Sequence, residues 1–280
     1  MPSYERPRTL AAALHALAAG ARPVVAGGTD FYPARVGRPV EPGLLDISRV
    51  EELQGLQRLP GHWRLGAALT WSELARTALP SAFDALRQAA REVGGVQVQN
   101  AGTLGGNLCN GSPAADGVPP LLALDARVEL TSLQGTRALP LGEFLLGPRR
   151  TALAPGELLS AVIVPEAAVR GASAFVKLGA RRHLVISIVM AAACLEADAD
   201  GRVVSARVAV GACSPVARRL GALEAGLLGR PLGSGLGSLV HPAHLAGLDP
   251  IDDVRASRDY RLDAARGLVA RLLTDLEARL

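Results

Sequence analysis

The stretch Asn100-Ala101-Gly102-Thr103-Leu104-Gly105-Gly106-Asn107-Leu108-Cys109-Asn110-Gly111-Ser112-Pro113-Ala114-Ala115-Asp116 decides the reading of this chain. It concentrates glycines, small side chains and one terminal carboxylate, and it reads as a loop with no room for a hydrophobic core. Glycine at 102, 105 and 106 admits positive φ and lets a ligand approach the main chain, so that successive amides can converge on an anion. Thr103, Asn107 and Ser112 add neutral hydrogen-bonding groups. No basic residue lies between Asn100 and Asp116, which favours a phosphate held by amides over one held by lysine or arginine.

A second stretch of this kind lies nearer the N-terminus, Val24-Val25-Ala26-Gly27-Gly28-Thr29-Asp30-Phe31. It follows an amphipathic helix pattern and a short apolar run. Paired glycines followed by a hydroxyl and a carboxylate suggest amides facing a diphosphate, with Asp30 free to take a hydroxyl or to cap the next turn. Two such loops could close on one dinucleotide.

In this order, the two loops resemble those of the FAD-binding medium subunits of the molybdenum hydroxylases, the family containing xanthine dehydrogenase and aerobic carbon monoxide dehydrogenase. The resemblance runs on through Leu44-Leu45-Asp46-Ile47-Ser48-Arg49 and Leu65-Gly66-Ala67 to the C-terminal helix. It implies an α+β chain. Two N-terminal α/β subdomains would form a PCMH-type FAD-binding fold related to vanillyl-alcohol oxidase and p-cresol methylhydroxylase. A C-terminal antiparallel sheet with covering helices, of the CO dehydrogenase flavoprotein type, would follow. Residues 1–168 would be the FAD-binding domain, with subdomains at about 1–55 and 56–168, and 169–280 the C-terminal domain. This is not a Rossmann fold.

The same resemblance implies non-covalent FAD. It assigns Val24, Val25, Ala26, Gly27, Gly28, Thr29, Asp30 and Phe31, with Thr103, Gly105, Gly106 and Asn107, to the diphosphate and the neighbouring sugar or ribityl hydroxyls. Asp116 would fall among the flavin contacts, or else cap the helix after Pro119, and Leu159 would pack near the ring. Lys177, in Ala174-Phe175-Val176-Lys177, matches a flavin-proximal lysine. It is also the single lysine of the chain, where a compact ammonium was kept although arginine serves everywhere else.

The implied function is that of an FAD-dependent oxidoreductase subunit in electron transfer. Electrons would leave a substrate hydroxylated at the molybdenum site of a molybdopterin-binding large subunit, pass through the 2Fe-2S clusters of a small subunit, and reach FAD for delivery to NAD, a quinone or oxygen. The assembly would be a dimer of heterotrimers. After Arg181-Arg182 many relatives carry an acidic residue where this chain has His183-Leu184-Val185, which puts NAD use in doubt. Two other readings stay open: a standalone flavin reductase of the same superfamily, like UDP-N-acetylenolpyruvoylglucosamine reductase, and a non-redox assembly protein that kept the fold.

Composition sets the outer bounds. At 280 residues and 49% hydrophobic, the chain can bury the cores of two or three subdomains. Cys109, Cys194 and Cys213 are scattered singly, which argues against a disulfide framework or an iron-sulfur cluster in this chain. The N-terminal Met1-Pro2-Ser3-Tyr4 lacks a secretory pattern and no transmembrane segment is visible, so a cytoplasmic protein is expected. The net charge of +4 is not gathered into basic runs longer than a pair, and aromatics make up only 3%, which argues against a stacking nucleic-acid face. His15, His62, His183, His241 and His244 form no metal-binding spacing. No P-loop motif occurs, and no catalytic side chain is assigned. A chain poor in acid-base constellations suits a cofactor that carries the reaction itself.

Periodicity predicts a helix over 10–19 stopped by Gly20, strands at 23–26, 44–47 and 63–68, a helix from Trp71 capped by Thr70 or Ser72, and a longer helix over 81–93. Beyond the second loop come a short helix at 121–124 and strands at 126–132 and 158–164. The polar segment 166–173 marks the domain boundary. Strands at 185–195 and 203–212 are joined by the hairpin Asp198-Ala199-Asp200-Gly201, and helices over 216–228 and 257–280 cover them. The glycine-rich Gly229 to Ser238 reads as a surface linker.

Overall fold

The computed structural model describes residues 3–20, 22–37, 43–182 and 184–280. Met1, Pro2 and His183, on which the leader and acceptor expectations partly rest, lie outside them. Strand β1 (Ser3–Glu5), helix α1 (Leu10–Ala18), β2 (Val24–Val25) and β3 (Gly43–Asp46) form the first unit. Its small sheet has the order β1-β3-β2 and is parallel on both sides of β3. Thr9 caps α1 by accepting from the Ala12 amide, and the helix buries Ala13 and Leu14.

A second sheet takes its strands from both sides of a helical excursion. Hairpin β4 (Leu56–Leu59) and β5 (His62–Gly66) lead into α2 (Trp71–Arg76), α3 (Asp84–Glu92), α4 (Val96–Ala101), α5 (Leu104–Asn110) and α6 (Val118–Ala123). The chain then returns through β6 (Arg127–Ser132), β7 (Gly135–Pro140), α7 (Leu141–Phe144), the small pair β8 (Leu145–Gly147) and β9 (Arg150–Thr151), and β10 (Leu158–Pro165). The order is β4-β5-β10-β6-β7, with antiparallel neighbours throughout. Of the two cap candidates for α2 the structure uses Thr70, in a capping box with Glu73. The expected long helix over 81–93 begins as a single 3-10 turn, and only Asp84–Glu92 is α-helical.

The third sheet is antiparallel: β11 (Ala172–Leu178), β12 (Val189–Ala197), β13 (Val203–Gly211) and β14 (Arg218–Arg219). Helices α8 (Gly221–Leu227) and α9 (Arg258–Glu277) cover one face. The helix expected over 216–228 therefore starts late, because Arg218 and Arg219 pair with Val210 and Ala209 as an edge strand. Strand β12 is buried on both faces. Met190, Ala192 and Cys194 join the core of the second unit, while Val189, Ala191, Ala193 and Leu195 join the core under α9. Burial on two sides explains its unbroken apolar run, which lacks the alternation of a half-exposed strand.

The decisive stretch departs most from expectation. Asn100 to Asp116 is not a loop without a core: it holds the end of α4 and the whole of α5, and Leu104 and Leu108 are fully buried. Its glycines serve packing. A Cβ on Gly105 would lie 2.7 Å from the Cβ of Ala67, so this helix can lie against the turn after β5 only with glycine there. No helix among the described residues is long and apolar enough to cross a membrane.

Candidate functional site

Strand β2 delivers Ala26 to Phe31 to the rim of its sheet, where Gly28 takes φ +70°, a conformation open to glycine. The loop folds back on itself as the Tyr32 amide donates to the Gly28 carbonyl at 3.1 Å and the Ala34 amide to that of Asp30 at 3.2 Å. The junction of α4 and α5 comes up against it, anchored by the Trp71 amide donating to the Gly102 carbonyl at 3.2 Å. The two segments touch through backbone: a Cβ on Gly27 would fall 2.9 Å from the Cα of Gly102 and inside contact with the Ala101 carbonyl.

Between them lies a cleft of about 290 Å³, lined by residues that include Val24 to Phe31, Thr103, Gly106 and Asn107. Sequence reasoning singled out these eleven residues from two separate stretches, and the fold brings them to one wall. Gly105 stays behind that wall against Ala67, as described above.

The hydrogen-bond inventory divides the labour between the two stretches differently from the expectation of two amide nests. In the second stretch the amides are spent inside the protein. Gly102 donates to Val98, Leu104 to Leu69, Gly105 to Ala67 and Asn107 to Thr103, all at carbonyl oxygens, while Gly106 donates to the Thr103 hydroxyl in an N-cap. In the first stretch the amides of Gly27 to Phe31 have no partner among the described residues. Five consecutive unpaired donors on residues that line a cleft are open to an anion. The second stretch contributes a side chain instead: Asn107 Oδ1 is buried without a partner. It is an acceptor, so a ligand hydroxyl would satisfy it. Free amides beside an orphaned acceptor fit a ligand with phosphates and hydroxyls.

Asp116 and Lys177 lie apart from that wall. The Lys177 ammonium meets the Asp116 carboxylate at 2.6 Å, with the two side chains only 7% and 8% exposed. It also donates to the Glu92 carbonyl at 3.2 Å, and the Ser187 hydroxyl donates to the other Asp116 oxygen at 2.6 Å. Burial pushes the Asp116 carboxyl up from its ordinary range, and the Lys177 charge and the hydrogen bonds pull it back only in part. Asp116 is not a cap, since α6 has no side-chain cap. Leu159 packs in the core of the second unit, 4% exposed.

Lys177 also lines a second, wider cleft of about 700 Å³ between α3, β11 and α9, with Glu92, Phe175, Arg181, Arg182 and Arg271. Consecutive residues join the two spaces: Glu92 lines the second and Val93 the first. The first cleft alone sits at the small end of the roughly 300–1,000 Å³ typical of ligand pockets, so a dinucleotide would have to reach beyond it.

Sequence reasoning missed the residues supplied by other elements. Trp71 and Val98 line the first cleft, and so do two cations, Arg35 and Arg149. The Arg35 guanidinium lies 3.8 Å over the Phe31 ring. Arg149 arrives from the β8–β9 turn and donates to Asn110 Oδ1. Neither falls in a glycine-rich stretch, and no local signal marks them. Cys109 is the free cysteine exposed in this cleft, whereas Cys194 and Cys213 are buried.

Known proteins resemble this chain along its length. Residues 1–167 match the family model described as the FAD binding domain in molybdopterin dehydrogenase, and residues 156–276 match the CO dehydrogenase flavoprotein C-terminal domain. The nicotinate dehydrogenase FAD-subunit of Eubacterium barkeri is 31% identical, over 90% of this chain and 87% of that one. The xanthine dehydrogenase FAD-binding subunit of Escherichia coli is 30% identical, over 99% and 96%. Among solved structures, a reconstituted CO dehydrogenase from Oligotropha carboxidovorans superposes with a TM-score of 0.88 at 26% identity, over the full length of both chains. The Hydrogenophaga pseudoflava carbon monoxide dehydrogenase gives 0.86 at 28%, over 99% and 98%.

Proposed function

This chain belongs to the FAD-binding subunits of the molybdopterin dehydrogenases, and from that premise we propose that it is the electron-transfer subunit of a molybdenum hydroxylase complex, holding FAD in the cleft between Val24–Phe31 and Thr103–Asn107. The chain is an FAD-dependent oxidoreductase subunit. The observation that carries the site assignment is the run of unpartnered amides from Gly27 to Phe31 beside the orphaned Asn107 acceptor.

In this reading FAD supplies a redox centre able to take electrons in ones or twos and to pass them on. The protein binds and orients it. Gly27 to Phe31 would cradle the diphosphate through main-chain donors, Asn107 would accept from a hydroxyl, and Asp30 would take another. The buried Lys177–Asp116 pair, with Ser187, fixes β11 and the segment after it against α3 and α6. The second cleft thereby keeps a set shape beside the first. A fixed site reorganises little when charge arrives, which lowers the barrier to electron transfer.

Partner subunits would supply the upstream centres: a small one with 2Fe-2S clusters and a large one with the molybdopterin, assembled as a dimer of heterotrimers. The domain assignment follows the same reading, with residues 1–168 holding the cofactor and 169–280 closing over it. The test is purification from the native host without overexpression, followed by subunit analysis and an absorption spectrum. Flavin and iron-sulfur bands with two further polypeptides, and bleaching of the flavin on adding the donor substrate, are the expected result. Flavin in a single polypeptide that is reduced directly would overturn the electron-transfer assignment, and a complex without flavin would overturn the site.

A further inference from the structure

Charge balance in the first cleft points to a cofactor-binding residue that the glycine-rich stretches do not contain. This inference rests on the reading of that cleft as the FAD site. The diphosphate of FAD is doubly anionic, the main-chain donors that would face it are neutral, and Asp30 adds a further negative charge to the lining. A desolvated anion with only neutral donors is costly to hold. Among the described residues that line the cleft, the cations are Arg35 and Arg149. Arg35 is half-buried and committed, with its guanidinium flat on Phe31 and one nitrogen donating to the Phe31 carbonyl at 3.3 Å.

Arg149 is exposed at the mouth, and its side chain is tied to the cleft through Asn110. Its backbone takes φ +59°, a left-handed conformation that glycine would adopt without the clash of a Cβ. The fold enforces it: the Arg149 amide donates to the Gly111 carbonyl at 2.8 Å, and Gly111 itself, at φ +58°, packs against the Arg149 backbone. A side chain kept at a position that favours glycine, and aimed at a cleft short of positive charge, is retained for what it binds. We propose that Arg149 pairs with the diphosphate of FAD as its principal counter-charge, so that this chain selects the dinucleotide over an uncharged flavin at the cleft mouth.

The experiment titrates the chain stripped of flavin with FAD and with riboflavin, following flavin fluorescence at low and high salt, for wild type, Arg149→Lys, Arg149→Gln and Arg149→Gly. Melting temperatures are measured in parallel without flavin. Losing one charge-assisted hydrogen bond weakens FAD binding about tenfold or more in the Gln and Gly variants, with a shallower salt dependence. The Lys variant keeps most of the affinity, and riboflavin binds all four proteins alike. Arg149→Gly melts at or above the wild-type temperature, because glycine accepts the backbone conformation, so its weaker binding cannot be ascribed to a damaged fold. If the Gln and Gly variants bind FAD within about twofold of wild type, or if riboflavin suffers equally, Arg149 is not the counter-charge. If wild type itself binds no FAD, the reading of the cleft fails and takes this assignment with it.

Discussion

Replacing Gly27 by alanine tests whether the two stretches must touch. The new Cβ would sit 2.5 Å from the carbonyl carbon of Ala101 and 2.9 Å from the Cα of Gly102. Against the ~3.5–4.0 Å at which carbon atoms pack, the segments must part by roughly 1 Å. The obstacle is backbone on both sides, so no rotamer change absorbs it. A donor moved by that much from ~2.9 Å stands near ~3.9 Å, beyond hydrogen-bonding range. Loss of two amide bonds to a charged phosphate, at ~1.5–3 kcal/mol each, removes ~3–6 kcal/mol, which is roughly two to four decades of affinity. FAD titration of Gly27→Ala, followed by flavin fluorescence, reads this directly, with a thermal melt to confirm the fold. The control is Gly226→Ala: a Cβ there in α8 meets nothing, so that variant binds FAD normally and gains ~0.5–1 kcal/mol of helix stability. A Gly27→Ala protein that melts normally and binds FAD within about threefold of wild type would refute the argument that these backbones form one site.

Three further outcomes follow from the same geometry. Asp116→Asn leaves the buried Lys177 charge uncompensated and lowers unfolding free energy in urea by ~3–5 kcal/mol, while the double variant Lys177→Met, Asp116→Leu recovers much of the loss; equal destabilisation in both would show that the pair's charges are not what matters. For Asp46, hydrogen bonds from Ser48 and Tyr4 and the Arg6 charge outweigh burial and hold the carboxyl below its ordinary range, and Arg137 does the same for Glu157. A depressed folded value contributes stability that is present above the unfolded value near ~4 and lost as pH falls through the folded one, so the urea midpoint drops between about pH 5 and pH 3, and a midpoint rising over that window would contradict it. Cys109 is exposed in the first cleft although its walls push the thiol above the usual range, so maleimide labels it slowly, faster as pH rises, and saturating FAD protects it; labelling indifferent to FAD would move the cofactor elsewhere.

What the sequence made legible was the pair of stretches, because each carries its constraint locally. Gly27 and Gly28 announce a backbone that something must approach closely, whereas Thr103, which reads as a ligand-facing hydroxyl, is spent as the N-cap of α5. The division of labour was not legible. Glycines 105 and 106 read as donors to a ligand, yet whether an amide is free depends on its partners, and the carbonyl of Ala67 that takes the Gly105 amide lies far away in sequence. The Lys177–Asp116 bond spans 61 residues, and Arg149 reaches Asn110 across 39, so no window of periodicity contains either. The alanine-rich β12 gave itself away as a strand by its apolar run, but its burial on both faces follows only from packing.

That two-sided burial bears on how the cofactor site is held. With Met190, Ala192 and Cys194 in one core and Val189, Ala191, Ala193 and Leu195 in the other, the third sheet cannot swing away from α3 and α6 without exposing an apolar face, which would cost roughly 25 cal/mol for each Å² uncovered. The polar fastening runs the same way: Ser187 and Lys177 hold Asp116 from the C-terminal side, and Arg207 on β13 donates to the carbonyls of Ala123 and Ala168 at 2.7 and 2.9 Å. Hinge opening between the sheets is therefore expensive, and a flavin would enter through local movement at the mouth. The least fastened wall there is the loop after β2, whose amides from Gly27 to Phe31 hold nothing within the described residues. The same unpaired amides that make this loop an anion cradle leave it held only through its carbonyls, by Tyr32, Ala34 and Arg35 within the described residues, so binding and entry draw on one feature of the sequence.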